Sequence, residues 1–128
     1  MSKIPEDLFY TKEHEWIRVD GETAAIGITD HAQEALGDIT FVELPEEGAS
    51  FGAGDTFGVV ESVKAASDIY LPTTGTVAEV NSELEDAPET LNSDPYGEGW
   101  LIKVRLEGEL DRSSLLDAKA YAEFCENE

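Results

Sequence analysis

Short apolar runs separated by glycine, proline and acidic residues dominate the chain. Residues 15–28 form two β-rich runs around Asp20-Gly21, a dipeptide that suits the positive φ values of a tight hairpin turn. β-Branched and bulky apolar side chains recur in further short runs and favour extended backbone there. These runs lie at 39–45, 52–63, 67–72, 75–81 and 100–106. The pattern therefore predicts a mainly β protein with many short strands.

Helical patterns are confined to two short segments. Thr29 or Asp30 can cap a helix over DHAQEAL, and Gly37 then suits its C-terminal stop. Near the C-terminus, Leu115, Ala118, Tyr121 or Ala122, and Cys125 recur at helical spacing. This spacing predicts a helix at about 113–126 that packs against the sheet, with Cys125 as a small core residue and not a nucleophile. Residues 82–99 are rich in proline, glycine and polar residues and predict an irregular stretch with one helical turn.

The length of the chain predicts one domain spanning residues 1–128. A hydrophobic content of 41% is sufficient for a folded core. The chain has one cysteine and cannot form an internal disulfide, which fits a reducing compartment such as the cytoplasm. We expect neither a signal peptide nor a membrane span, because no apolar run approaches the roughly 20 residues that a span needs.

Acidic residues outnumber basic ones by 29 to 8, and the formal net charge is -21. This charge would repel nucleic acid phosphates and anionic membrane surfaces, so neither is expected as a partner. It would also destabilise the compact state through self-repulsion, which salt screens. The acid excess leads to the hypothesis that the protein works in a salt-rich, halophilic cytoplasm and binds partners with basic surfaces.

Lys64 stands out in this composition because the chain has only five lysines. It lies in ESVKAASD, at the expected tip of a hairpin spanning about 55–72. Three interpretations follow: a solvated surface lysine, a Schiff-base nucleophile, or an amine acylated by a prosthetic group. Glu61 and Asp68 favour the charged amine and argue against the nucleophile. The small residues after Lys64 leave room for acylation, but the residues alone leave the first and third interpretations open.

Other patterns give weaker signals. His14 and His31 lack cysteine pairs or a HExxH spacing, so no metal site is predicted. Asp30, His31 and the serines do not form a hydrolase signature, because no GxSxG motif is present. GAGD at 52–55 predicts a β-turn and not a phosphate-binding loop. The residues thus predict no catalytic site.

Five segments, in order along nearly the whole chain, resemble the H protein family of the glycine cleavage system. They are HEWIRV at 14–19, IGITDHAQEALGDI at 26–39, FVELPEEG at 41–48, GVVESVKAASDIYLP at 58–72 and SDPYGEGWLIKV at 93–104. The resemblance implies a flattened barrel or sandwich of two small sheets, the lipoyl-domain barrel-sandwich hybrid, with short helices added. It also implies that Lys64 carries a covalently attached lipoate, since ESVKA resembles the H protein form of the attachment turn and not the MKM typical of biotin carriers.

Proteins of this family are non-catalytic carriers, so the resemblance implies that this chain is not an enzyme. It implies shuttling of an aminomethyl group from the pyridoxal-phosphate glycine decarboxylase to the tetrahydrofolate-dependent aminomethyltransferase, and of electrons to dihydrolipoyl dehydrogenase. A lipoate ligase or transferase would attach the group. The alternative is an H-like protein that serves as a lipoate donor or carrier in another lipoate-dependent pathway.

The resemblance also suggests roles for residues around Lys64. Glu61 resembles the acidic residue that a ligase reads before the lysine, although it could simply solubilise the tip. Glu15 and Asp68 are candidate contacts of the loaded arm, with ordinary surface acids as the rival interpretation. Gly75 is expected to be an architectural turn glycine. Ala35 lies near the point where some relatives have a histidine, so no arm contact is expected from it.

Overall fold

The computed structural model describes residues 4–107 and 115–127. No helix in these two ranges is long and apolar enough to cross a membrane. The elements follow in this order: β1 (Phe9–Tyr10), β2 (Glu15–Asp20), β3 (Thr23–Ile28), α1 (Asp30–Leu36), β4 (Ile39–Glu43), β5 (Ser50–Phe51), β6 (Thr56–Ser62), β7 (Ala66–Tyr70), β8 (Gly75–Val80), α2 (Glu83–Asp86), α3 (Thr90–Ser93), β9 (Ile102–Leu106) and α4 (Ala118–Glu126).

The large sheet contains six strands in the order β1-β2-β3-β9-β8-β5, and its neighbours pair antiparallel. The predicted hairpin at 15–28 is confirmed: β2 and β3 pair from Glu15 and Ile28 to Asp20 and Thr23, and Gly21 adopts a φ of 65° in the turn. The last strand, β9, inserts between β3 and β8. It is therefore a central strand although it comes late in the chain.

The small sheet contains β4, β6 and β7. Strands β6 and β7 form what we call the Lys64 hairpin, within the range expected for it. Val42, Val60 and Ile69 are buried on the inner face, whereas Glu61 and Asp68 are exposed. This alternation is what a sheet with one buried face requires.

The main core lies between the two sheets. It joins Ile17, Ile26 and Ile102 of the large sheet with Val42 and Val60 of the small one in a single hydrophobic cluster. Two sheets whose inner faces share a core form a sandwich. The predicted fold, a flattened barrel or sandwich with short helices and a C-terminal helix, is confirmed.

A second cluster lies under α4, and we call it the aromatic cluster. It consists of Leu8, Tyr10, Trp16, Tyr96 and Tyr121. The rings of Tyr10 and Tyr121 stack with their centroids 4.6 Å apart, and the Trp16 indole N–H donates to the Pro95 carbonyl at 3.0 Å. The C-terminal helix is thus attached to the edge of the large sheet, as expected.

The start of this helix differs from the prediction of about 113–126. Helix α4 begins at Ala118, after an Asp117 cap whose carboxylate accepts the Ala120 N–H at 2.8 Å. Leu116 instead forms an antiparallel bridge with Tyr10, while residues 113 and 114 lie outside the described ranges. Cys125 packs against the aromatic cluster, as predicted, but it is only partly buried.

Local turns follow the sequence signals closely. Thr29 caps α1 through its hydroxyl, and Gly37 ends the helix with a φ of 80°. The GAGD segment forms a turn in which the Asp55 N–H donates to the Gly52 carbonyl at 3.0 Å. Residues 82–99 contain two short helices, α2 and α3, where one helical turn was expected.

Candidate functional site

Lys64 lies at the tip of the Lys64 hairpin, between Val63 and Ala65, and all three residues are exposed. Strand pairing continues up to Glu61 and Ala66. Beyond that pair, the Ser62 N–H donates to the Ala65 carbonyl at 2.8 Å. The turn is therefore tight, and Lys64 lies in its exposed part, beyond the last strand pair.

Ser62 organises the backbone of this tip. Its hydroxyl oxygen accepts the N–H groups of Lys64 and Ala65, each at 3.2 Å, and its O–H donates to the Ala65 carbonyl at 3.2 Å. Sequence reasoning missed this residue. The signal was available, because serine hydroxyls commonly satisfy backbone groups two or three residues on in turns.

The connection between α1 and β4 supports the tip from the side. The Val63 N–H donates to the Asp38 carbonyl at 3.1 Å. A Cβ atom placed on Gly37 would lie 3.5 Å from Cε of Lys64, so the lysine stem passes directly over this glycine. The φ of 80° at Gly37 disfavours larger residues. The sequence indicated Gly37 only as a helix stop, but it also borders the path of the lysine.

Glu61 and Asp68 share the exposed face of the small sheet. Glu61 pairs with Ala66 on one side and with Phe41 on the other, and Asp68 lies opposite Val59 on β6. Phe41 is 48% exposed, which is unusual for such a large apolar side chain. Both carboxylates predicted to flank Lys64 therefore lie beside an apolar surface and in contact with solvent.

Glu15 lies in a different environment, with only 1% of its surface exposed. One carboxylate oxygen accepts the Tyr70 N–H at 2.6 Å, and the other accepts the Thr11 hydroxyl at 3.0 Å. The interpretation of Glu15 as an ordinary surface acid is wrong. Its side chain instead connects the start of β2 with the end of β7, where the Lys64 hairpin returns to the large sheet.

Burial determines the charge state of Glu15. Loss of water around the carboxylate raises its pKa from 4.5 to about 7, with a small further increase from Glu13, although hydrogen bonds from Tyr70 and Thr11 oppose the shift. Near neutral pH the group therefore exchanges readily between its neutral and ionised forms. A cation that approached this carboxylate would favour the ionised form.

Gly75 and Ala35 lie where no functional side chain was predicted. A Cβ atom on Gly75 would lie 2.7 Å from the Arg105 carbonyl oxygen, so its architectural role is confirmed. The reason is the close approach of β9 and not an unusual φ. Ala35 is exposed on α1 and offers no polar group to an arm.

The remaining lysines lie in different settings. Lys103 Nζ forms an ion pair with the Glu79 carboxylate on β8 at 3.4 Å and lies 4.9 Å from the centroid of the Trp100 ring. Lys12 and Lys119 are exposed, in a turn and on α4 respectively. Among the lysines that the structure describes, Lys64 alone lies at a hairpin tip.

A family profile described as glycine cleavage H-protein matches residues 8–128. The chain belongs to this family. It is 58% identical over 128 residues to the glycine cleavage system H protein of Rubrobacter xylanophilus, covering 100% of this chain and 99% of the relative. It is 60% identical over 122 residues to the H protein of Chromohalobacter salexigens, covering 94% and 93%. A crystal structure of the Mycobacterium marinum H protein matches with a TM-score of 0.86 at 44% identity, covering 94% and 97%.

Family membership confirms the main functional prediction. Glycine cleavage H proteins are non-catalytic subunits that carry lipoate on a lysine, and this chain is such a lipoyl carrier. It works with the other enzymes of the glycine cleavage system. The alternative role in another lipoate-dependent pathway is not favoured, because the relatives are named for glycine cleavage.

Proposed function

We propose that Lys64 is the lysine that bears lipoate and that the protein acts in the cytoplasm. It receives the aminomethyl group at the pyridoxal-phosphate glycine decarboxylase, delivers it to the tetrahydrofolate-dependent aminomethyltransferase, and passes electrons to dihydrolipoyl dehydrogenase. The observation that carries this proposal is the exposed lysine at the tip of a hydrogen-bonded hairpin. A lipoate ligase or transferase can approach such an amine without unfolding the sheet.

The surrounding residues fit a lipoyl group. Bound lipoate supplies a cyclic disulfide that accepts the aminomethyl group and can be reduced to a dithiol. Ser62 and Asp38 hold the tip backbone, so an amide at Lys64 Nζ starts from a defined position. Gly37 has no side chain to obstruct the lysine stem. A tether of this kind keeps its cargo at a high effective concentration near each enzyme.

Intact mass and peptide mapping test the attachment site. We expect protein coexpressed with a lipoate ligase to gain one lipoyl group, and Lys64→Arg to gain none. Lys12→Arg and Lys119→Arg are matched controls, because both lysines are exposed and positively charged. Full modification of Lys64→Arg, or loss of modification in a control, would contradict the proposal.

We propose that the modifying enzyme reads Glu61. The residue is exposed and lies in the last strand pair before the tip. Glu61→Gln should therefore slow lipoylation by purified ligase while leaving the fold intact. Glu43→Gln is the matched control, because Glu43 is also exposed on the small sheet but lies farther along from the tip. Equal rates for both variants would leave Glu61 a solubilising residue only.

We propose that Asp68 and Glu15 contact the loaded arm. Asp68 is exposed on β7, and the Glu15 carboxylate bonds to Tyr70, two residues farther along the same strand. A cationic amine near Glu15 would pair with the carboxylate where little water competes. Glu15→Gln and Asp68→Asn should each speed loss of the aminomethyl group from loaded protein in buffer. If Glu15→Gln and Asp68→Asn lost the aminomethyl group at the same rate as Glu43→Gln, the proposed contacts would be contradicted.

We propose that the acid excess suits a salt-rich cytoplasm and partners with basic surfaces. The Debye length falls from about 10 Å at 0.1 M salt to about 3 Å at 1 M, so salt relieves repulsion within a chain of net charge -21. We expect the melting temperature to rise in molar KCl, and binding to partner enzymes to weaken. Unchanged melting would count against adaptation to salt.

A further inference from the structure

Both histidines and the single cysteine of this chain come together at one place. His14 precedes β2, His31 lies in the first turn of α1, and Cys125 lies near the end of α4. Their ligand atoms are within 4.8 Å of one another, and all three residues are partly buried. Residues that are far apart in sequence thus form a cluster of two imidazole nitrogens and one sulfur.

Tyr121 holds this cluster in place. Its hydroxyl lies 2.7 Å from His14 Nδ1 and 2.7 Å from the Thr29 hydroxyl, and it also shares a hydrogen bond with Cys125. A hydrogen bond at Nδ1 fixes the orientation of the His14 ring, as outer partners do in many metal sites. The His14 and His31 rings stack on each other with their centroids 4.4 Å apart.

The backbone at His14 is also unusual. Its φ of 65° is the only positive value for a residue other than glycine in the described parts of the chain. The turn is closed by a hydrogen bond from its N–H to the Thr11 carbonyl at 3.1 Å, and its carbonyl accepts the Thr29 N–H at 3.0 Å. Such conformations persist where surrounding contacts enforce them and are enriched at functional sites.

We propose that His14, His31 and Cys125 bind a zinc ion, with water in the fourth position. Imidazole nitrogen and thiolate sulfur are ligands that Zn²⁺ prefers, whereas Mg²⁺ and Ca²⁺ prefer oxygen. Bonds of about 2.0–2.1 Å to nitrogen and about 2.3 Å to sulfur would place the tetrahedral ligand atoms about 3.3 to 3.6 Å apart. The ligand atoms now lie within 4.8 Å of one another, so zinc binding would require them to move closer together by about 1 Å.

The ion would act as a clamp between three segments. Cys125 lies on α4, which is attached to the sheet through Tyr121 and the bridge at Leu116. Bonds from zinc to His14 and His31 would attach the end of α4 to the β2 turn and to α1 as well. Because unfolded chains bind the metal poorly, zinc should raise the stability of the folded state.

Cobalt binding to the full-length chain tests the site. The Lys64→Arg variant serves as the parent, because the reduced dithiol of a lipoyl arm would itself bind metal. We expect one equivalent of Co²⁺ to bind under a thiol-free reductant and produce the near-ultraviolet absorption of a cobalt–thiolate bond. One equivalent of Zn²⁺ should abolish the band, whereas excess Mg²⁺ should not.

Cys125→Ser and His31→Asn should each weaken zinc binding by more than about 10-fold, because even changes to outer partners cost 10- to 100-fold. Cys125→Ser should also lose the thiolate band. Glu123→Gln, an exposed change on α4, is the matched control and should behave like the parent.

Thermal melting gives a second readout that does not depend on the spectrum. Zinc should raise the melting temperature of the parent and of Glu123→Gln, but not that of Cys125→Ser. Cobalt binding without a thiolate band, or equal zinc affinity in parent and Cys125→Ser, would assign binding to the acidic surface and overturn the proposal.

Discussion

The tip of the Lys64 hairpin and the aromatic cluster use opposite means to hold a side chain in place. At the tip, Ser62 and Asp38 bond to the backbone, and the Lys64 side chain is left exposed. In the aromatic cluster, Tyr10 and Tyr121 are fully buried and stacked on each other. A carrier needs a defined attachment point with a mobile arm, whereas stability depends on buried side chains. The two regions should therefore respond to mutation independently.

Tyr121→Ala should produce the largest effect on stability. Removing a buried aromatic ring costs about 3 to 5 kcal/mol, which urea unfolding of parent and variant would measure. Lipoylation of the folded variant at low temperature should proceed at the parental rate. A slower rate in protein that remains folded would show that the two regions are coupled.

Tyr121→Phe sharpens the same comparison because it keeps the ring and removes the hydroxyl. The lost bonds to His14 and Thr29 should cost about 1 to 3 kcal/mol, less than Tyr121→Ala. Equal losses for the two variants would show that the hydroxyl network, and not ring packing, holds α4.

Glu15→Gln should produce the next largest effect, and it depends on pH. Because the pKa of Glu15 is raised from 4.5 to about 7 on folding, the folded state binds the proton more tightly between these values. The contribution of Glu15 to stability is therefore fully present below pH 4.5 and is lost as the pH rises through 7. Relative to parent, Glu15→Gln should gain up to about 3 kcal/mol between pH 5 and pH 8.

Urea unfolding of both proteins at pH 5, 6, 7 and 8 would measure this difference. Glu61→Gln is the control, because it removes the same formal charge at an exposed position. A constant offset between Glu15→Gln and parent at all four values would show that Glu15 titrates in the same way in the folded and unfolded chains.

Ser62→Ala should produce the smallest change in stability, about 1 kcal/mol, because it removes only exposed hydrogen bonds at the tip. We expect slower lipoylation, since the ligase then meets a less ordered turn. Ser67→Ala, in β7 of the same hairpin, is the matched control. Identical lipoylation rates for the two variants would show that a mobile tip is an equally good substrate.

Local signals in the sequence predicted the elements on which the site is built. The turn at Asp20-Gly21, the Thr29 cap and the hairpin around Lys64 depend on backbone preferences of adjacent residues, and the structure has all three. Ser62 could have been predicted by the same reasoning. The start of α4 could not, because helical spacing does not reveal that Leu116 bridges Tyr10.

Tertiary structure decided what surrounds the candidate residues. Glu15 and Asp68 are both acids near apolar strands, but only folding brings Tyr70 to Glu15 across 55 residues and buries its carboxylate. His14, His31 and Cys125 show no metal-site spacing, yet the fold brings them together from the turn before β2, from α1 and from α4. Short-range patterns record backbone preference, whereas burial and ligand geometry arise from contacts between distant residues. The sequence by itself determined the strands and the place of Lys64 at the tip of a hairpin, and only the packed chain determined the burial of Glu15 and the histidine–cysteine cluster.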